Sequence, residues 1–197
     1  MSSPGLRIGV LALQGAVREH VHALQRLKVE AREIRTPQHL EGVGGVILPG
    51  GESTTLWKLM ERIGLDEALR DFAAEGRPIL GTCAGMILMA RKVDESDQPL
   101  LGLMDMVVRR NAFGRQVESF EQDLEIAQFN GNPLRAVFIR APYIVDAGPQ
   151  VEVMAEVEGK GVLARQGNLI AAAFHPELTD DLRLHRMLVE MAEGGDV

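Results

Sequence analysis

The sequence predicts an α/β protein with a mostly parallel central sheet, and three observations lead there. Apolar runs of strand length, LRIGVLAL (6–13), GVILPGG (45–51) and PILGT (78–82), lack polar alternation, the mark of strands covered on both faces. Segments with apolar residues at helical spacing lie between these runs. The second half instead offers successive strand-like segments, several set apart by Asn-Gly, Asn-Pro and Gly-Pro pairs, so antiparallel or mixed strands should join the same sheet or stack beside it. With no internal repeat, low-complexity stretch or linker, residues 1–197 are expected to form a single three-layer domain.

Taken in order, the first run ends at Gln14-Gly15, and VREHVHALQRLK follows with Val17, Val21, Leu24 and Leu27 at helical spacing. VEAREIR (29–35) alternates like a strand. The run at 45–51 is halted by Pro-Gly-Gly, after which Ser53 or Thr54 can cap a helix carrying Leu56, Leu59, Met60 and Ile63 on one side. A helix over roughly 66–75 leads through Gly76 to PILGT, and a further helix follows Cys83. The first half thus reads β-α-β-β-α-α-β-α. Strands are expected at 100–110, 118–129, 136–142, 151–159 and 161–174. DDLRLHRMLVEMA (180–192) closes the chain as a helix with Leu184, Met187, Leu188 and Met191 inward.

Composition narrows the function classes. With 46% hydrophobic and 25% charged residues the chain has ordinary globular content, and its net charge of −7 disfavours a general binder of nucleic acid or anionic membranes. One cysteine rules out an intrachain disulfide framework and any thiolate-rich metal site. The five histidines (20, 22, 39, 175 and 185) form no HExxH pattern, and His20 and His22, two apart on a helix, do not share a face. No metal or other cofactor is expected. MSSPGLR lacks an apolar signal core and no run reaches the ~18 apolar residues of a spanning helix, so a cytoplasmic protein is expected.

The chemistry gathers at three strand ends. Gly81-Thr82-Cys83-Ala84-Gly85 has the G-x-nucleophile-x-G form of a sharp strand-to-helix turn that exposes its central side chain. Glycines on either side avoid clashes with neighbouring backbone, and the helix that follows aims free N–H groups and its positive dipole end at the sulfur. A lone cysteine is also a common small core residue, so the thiol needs a base beside it to count as a nucleophile. AAAFHPEL (171–178) supplies one. Pro176 pushes His175 toward an extended conformation, where residues two apart share a face, so Glu177 could hold one imidazole nitrogen while the other faces the thiol. LPGGEST (48–54) would present unencumbered backbone N–H groups at the same sheet edge, suited to an oxyanion hole together with the N–H of Ala84. Each motif has a bland alternative, respectively a core thiol, a strand terminus and a capped turn; their convergence favours a Cys83-His175-Glu177 triad.

LPGGEST, GTCAGM and FHPEL together resemble the class I glutamine amidotransferases. GVLALQGAVREH, RRNAFGRQVESFE (109–121) and FIRAPYI (138–144) narrow the resemblance to the glutaminase subunits of pyridoxal 5′-phosphate synthases. It covers nearly the whole chain in the family's order, with no departure in the triad or the Gly-Gly-Glu-Ser loop; Tyr143 stands where some relatives have histidine. The resemblance implies a flavodoxin-like fold and hydrolysis of L-glutamine to L-glutamate and ammonia through a γ-glutamyl thioester on Cys83. It implies Gly51 and Ala84 as oxyanion donors, and Gly51, Glu52, Ser53, Arg110, Ile139 and Arg140 at the bound glutamine. It also implies delivery of ammonia to a synthase subunit that builds pyridoxal 5′-phosphate from a pentose phosphate and a triose phosphate. That partner would belong to a large hetero-oligomer, a dodecameric synthase core decorated by glutaminases.

Physical chemistry adds that free glutamine carries charges of both signs. Glu52 is a natural acceptor for its ammonium, and Arg110 and Arg140 are candidates for its carboxylate, because a guanidinium fork matches a carboxylate bidentately. Two alternatives stand beside this reading. One is the glutaminase subunit of another amidotransferase, such as imidazole glycerol phosphate synthase, which the segments 109–121 and 138–144 argue against. The other is a non-catalytic assembly protein whose Cys83 is only core.

Overall fold

The computed structural model describes residues 5–110 and 119–194. The first half runs β1 (Arg7–Leu11), α1 (Val17–Arg26), β2 (Glu30–Ile34), β3 (Gly45–Leu48), α2 (Ser53–Glu61), α3 (Leu65–Ala74), β4 (Ile79–Thr82) and α4 (Ala84–Met89), the order of elements the sequence predicts. The second half contains β5 (Ala90–Val93), β6 (Met104–Arg109), β7 (Ser119–Leu124), β8 (Leu134–Ile139), β9 (Tyr143–Ala147), β10 (Glu152–Val157), β11 (Lys160–Gln166), β12 (Leu169–Ala172) and α5 (Arg183–Ala192).

Ten strands form one sheet in the order β2-β1-β3-β4-β12-β11-β9-β6-β5, with β10 branching from β11. The stretch from β2 to β12 is parallel throughout, and β12 then pairs antiparallel with β11. β3 and β4 are buried along their whole length, as their unbroken apolar runs require. β7 and β8 form a separate antiparallel pair that docks through aromatic rings: Phe120 stacks on Phe138 at 4.5 Å, and Phe138 meets Phe174 edge-on at 5.6 Å. The second-half strands therefore do both things the sequence allows, most joining the sheet and two standing beside it. The result is the expected three-layer α/β fold with a mostly parallel sheet and antiparallel additions.

Several boundaries differ from expectation. The run 161–174 is two strands, because Gly167 takes a positive φ of +57° and turns the chain back into a hairpin. The run 118–129 yields a strand only to Leu124; Ala127–Phe129 form a 3-10 turn that ends at Asn130, with φ +53°. β5 has no alternating or continuous apolar pattern of its own and exists through parallel pairing with β6. α2 ends at Glu61, so Ile63 lies exposed beyond it rather than along its buried side. Ser53 is the first helical residue of α2, and the capping side chain is that of Glu52. On α1 the residue buried most completely beside Leu24 is His20, while Val17, Val21 and Leu27 are only partly buried. The segment 111–118, which contributes to the resemblance, lies outside the described residues.

Candidate active site

Strand register brings the three motifs together. In the parallel stretch Leu48 of β3 faces Gly81 of β4, and Thr82 faces Ala172 of β12. The chain therefore leaves β3 at Pro49-Gly50-Gly51, β4 at Cys83 and β12 at His175 along one edge of the sheet, outside the carboxyl ends of its strands. Two backbone bonds lock the exits: Cys83 N–H donates to the Ala172 carbonyl at 2.8 Å, and His175 N–H to the Val137 carbonyl of β8 at 2.8 Å.

Cys83 caps α4 with φ +50° and ψ −103°, a conformation that strains a residue with a side chain. Close packing accounts for the glycines two residues away on each side. A Cβ at Gly85 would lie 2.0 Å from the Leu48 carbonyl oxygen, and one at Gly81 would lie 2.5 Å from Met89 Sδ and 2.7 Å from the Gly85 carbonyl carbon. The same reasoning extends to the neighbouring loops. A Cβ at Gly50 would meet His175 Cε1 at 2.6 Å, and one at Gly15 would meet the Gly50 carbonyl oxygen at 1.7 Å.

His175 Nδ1 lies 2.7 Å from Glu177 Oε1, which leaves Nε2 for the neighbouring Cys83, whose thiol also acts on the ring's titration. The local backbone differs from the extended segment the sequence suggested: Pro176–Leu178 form a 3-10 turn with proline at its start, and this turn folds Glu177 back onto His175. Burial by itself pushes the His175 pKa down, but the bonds and negative charges of Cys83 and Glu177 outweigh it and lift the value to about 10. All three side chains are largely sequestered, with residue exposures of 8–9%. The Cys83 thiol also approaches the Ile139 carbonyl at 3.9 Å.

A pocket of about 400 Å³ opens over the sulfur. Its walls include Gly51, Glu52, Ser53, Arg110, Ile139, Arg140 and His175, so the structure gathers every expected glutamine contact at one site. Ala84, next after Cys83, begins α4, where a helix leaves its first N–H groups without intrahelical acceptors. The two arginines differ. Arg110 is held by Gln98 Oε1 at 2.9 Å and Ser96 Oγ at 3.4 Å, whereas Arg140, at φ +44°, is exposed and makes no ion pair with a described residue. Glu52 accepts from Thr54 N–H at 3.1 Å on Oε1, and from Thr55 N–H and hydroxyl at 2.7 Å on Oε2. The Thr55 hydroxyl contributes most to a carboxylate pKa of about 2, burial opposes it, and the two backbone donors add to the lowering. Glu52 is thus a helix cap that keeps acceptor capacity on Oε1 for a cation in the pocket.

Sequence reasoning missed four residues. Gln14 lines the pocket and its Oε1 accepts the Glu52 N–H at 3.0 Å; its place at the end of β1, beside the other strand ends, was the available signal. His20, Thr82 and His185 lie fully buried behind Glu177. Nothing in the local patterns of α1 or α5 marks those histidines, because each occupies the buried face of its helix as an apolar residue would. No group of three or more His, Cys, Asp or Glu among the described residues could hold a metal ion, and no described helix is long and apolar enough to cross a membrane.

Comparison with known proteins yields a consistent set. Residues 10–194 match the model of the SNO glutamine amidotransferase family. The chain is 56% identical over 185 residues to the pyridoxal 5′-phosphate synthase subunit PdxT of Carboxydothermus hydrogenoformans, covering 94% of this chain and 97% of that one. It is 50% identical over 188 residues to the protein of the same name from Thermotoga neapolitana, covering 95% and 100%. A crystal structure of a glutamine amidotransferase superposes with a TM-score of 0.90 at 49% identity, over 94% of this chain and 98% of that one. PurLQS from Thermotoga maritima shares the fold alone, with a TM-score of 0.70 at 19% identity, over 98% and 97%.

Proposed function

Because this chain belongs to the SNO glutamine amidotransferase family, we propose that it hydrolyses L-glutamine to L-glutamate and ammonia as the glutaminase subunit of a pyridoxal 5′-phosphate synthase. In this reading the whole chain is one glutaminase domain, working in the cytoplasm with no cofactor of its own. The Cys83 thiolate attacks the side-chain amide carbon, and the carbonyl oxygen takes up negative charge opposite the N–H groups of Gly51 and Ala84. An imidazolium beside the sulfur stabilises the attacking anion, in keeping with the raised pKa of His175. The C–N bond then breaks as His175 gives its proton to the departing nitrogen, leaving ammonia and a γ-glutamyl thioester. His175 next takes a proton from water, whose oxygen attacks the thioester carbon, and glutamate leaves as the thiol is restored.

Glu177 orients the imidazole and balances its charge throughout. At the other end of the pocket Glu52 and Ser53 receive the α-ammonium, while Arg110 and Arg140 hold the α-carboxylate beside Ile139. The ammonia passes to a synthase subunit that combines a pentose phosphate with a triose phosphate, within a large hetero-oligomer; the shared name of the 50–56% identical relatives supports that partner. One observation carries the reading above the others. A strained cysteine and a histidine held by a carboxylate line a pocket that also holds two arginines. The test is glutamate release by the full chain, alone and titrated with its purified synthase subunit. Cys83→Ala is expected to fold, bind the synthase and release no glutamate above a no-enzyme control. Turnover by that variant would end the proposal.

A further inference from the structure

Behind the triad lies a second row of buried polar groups that the mechanism above does not use. Glu177 carries no exposed side-chain surface. Its Oε1 holds His175, but its Oε2 has no hydrogen bond and faces Nε2 of His20 at 3.4 Å. His20 Nε2 is also 3.2 Å from the Thr82 hydroxyl of β4, and His20 Nδ1 is 2.9 Å from Nε2 of His185 on α5. His185 Nδ1 is buried and unpartnered. Both imidazoles are fully buried, 165 residues apart in the chain, at positions where leucine or phenylalanine would bring no desolvation penalty.

The contacts decide the tautomers. With a proton on Nδ1 of His20, its Nε2 would turn a lone pair toward the Glu177 carboxylate, and His185 would keep a buried N–H with no acceptor. With the proton on Nε2, His20 points a donor between Glu177 Oε2 and the Thr82 hydroxyl, and its Nδ1 accepts from His185 Nε2–H. Only an acceptor lone pair on His185 Nδ1 is then left over, a smaller penalty than an orphaned N–H. We propose that His20, held in its Nε2–H tautomer by His185, is a positioning residue for glutamine hydrolysis. It fixes the second oxygen of Glu177 and through it the imidazole of His175.

The neutral state of the pair suits this role. Burial pushes His20 well below its ordinary pKa, with the charges of His185 and His175 adding to the effect. Burial likewise takes His185 to about 4, against an opposing pull from Asp181. A neutral donor aims the carboxylate without neutralising it, so the full negative charge of Glu177 remains available to His175 as it becomes imidazolium. Thr82, the last residue of β4 and next to the proposed nucleophile, ties the same row to the strand that leads into Cys83.

The inference rests on Glu177 being the carboxylate that orients His175, and the experiment separates the two. ¹⁵N NMR of the full chain should find His20 protonated on Nε2 and bare on Nδ1; the opposite tautomer overturns the proposal without any variant. With the synthase subunit present, His20→Phe is expected to lower kcat about 10-fold to 100-fold, the loss typical when an outer partner that fixes a metal-ligating histidine is removed. KM for glutamine should hardly move. His20→Gln, which returns an N–H donor near the Nε2 position, should restore most of kcat. The low-field proton between His175 and Glu177 should shift in His20→Phe and return toward its place in His20→Gln. An unchanged kcat in folded His20→Phe, or a loss without that proton shift, overturns the proposal. Glu177→Gln is the control. If it is slow while His20→Phe runs at full rate, this inference alone falls; if Glu177→Gln runs at full rate, the orienting role of Glu177 falls with it.

Discussion

The parallel half of the main sheet and the strand ends of β6 and β8 contribute differently to the site. The parallel half, β2 through β12, brings Cys83, His175 and Glu177 to adjoining strand exits, where backbone packs so closely that side chains at positions 15, 50, 81 and 85 would collide with it or with the triad. The β6 and β8 ends contribute Arg110, Ile139 and Arg140, which face the pocket from more open surroundings; Ile139 is 36% exposed. The difference teaches a division of labour. In the proposed function, the groups that must meet at bond-forming distance sit where close packing leaves one arrangement, and the groups proposed to recognise glutamine sit in more open surroundings.

The sharpest way to break this comparison is to add one methyl group inside the closely packed exits and one at an open turn away from them. Gly85→Ala would press its Cβ against the Leu48 backbone carbonyl at 2.0 Å, which cannot yield as a flexible side chain would, and should destabilise the fold by about 3 kcal/mol or more. Gly167→Ala in the β11–β12 hairpin has open space around it and meets only the penalty of its φ of +57°, about 1–2 kcal/mol. Denaturant titration of both variants checks the order, and equal losses would mean that the exits around Cys83 are no more closely packed than an open turn.

The second contrast is kinetic. If Arg110 and Arg140 hold the substrate carboxylate as proposed, replacing either with Met removes a charge-assisted bond, typically about 1.5–3 kcal/mol, so KM for glutamine should rise about 10-fold to 100-fold with little change in kcat. A fall in kcat at unchanged KM would place these arginines with the chemistry instead of with recognition.

The smallest effect concerns Glu52, which belongs to both regions as the cap of α2 and a wall of the pocket. Its carboxylate pKa is about 2 in the folded protein against an ordinary 4.5. A depressed pKa contributes stability that is complete above 4.5 and is lost as pH falls toward 2. Glu52→Gln should therefore be less stable than the parent at pH 6 by about 1 kcal/mol, the ordinary worth of a capping side chain. That gap should narrow between pH 4.5 and pH 2, as followed by thermal melts. A gap independent of pH would mean that the charge of Glu52 plays no part in the cap.

Much of this was legible without coordinates because its causes are local. Glycines around Cys83, Pro-Gly-Gly after β3 and Pro176 after His175 restrict the backbone within a few residues, and unbroken apolar runs identify buried parallel strands. Those signals determined the order of the first-half elements, the sharp turn at the thiol and the expectation that three strand ends meet. Tertiary structure alone decided which distant residues complete the arrangement. β5 exists because β6 lies beside it, Gln14 joins the pocket because β1 is next to β3, and the 3-10 turn that seats Glu177 packs against β8. His20 and His185 look like ordinary members of two amphipathic helices until α1 and α5 meet behind Glu177. The physical reason is range. Backbone restriction and apolar periodicity act over a few residues and can be read in a single chain. A contact across 165 positions depends on strand register and on packing among elements, which no local pattern encodes.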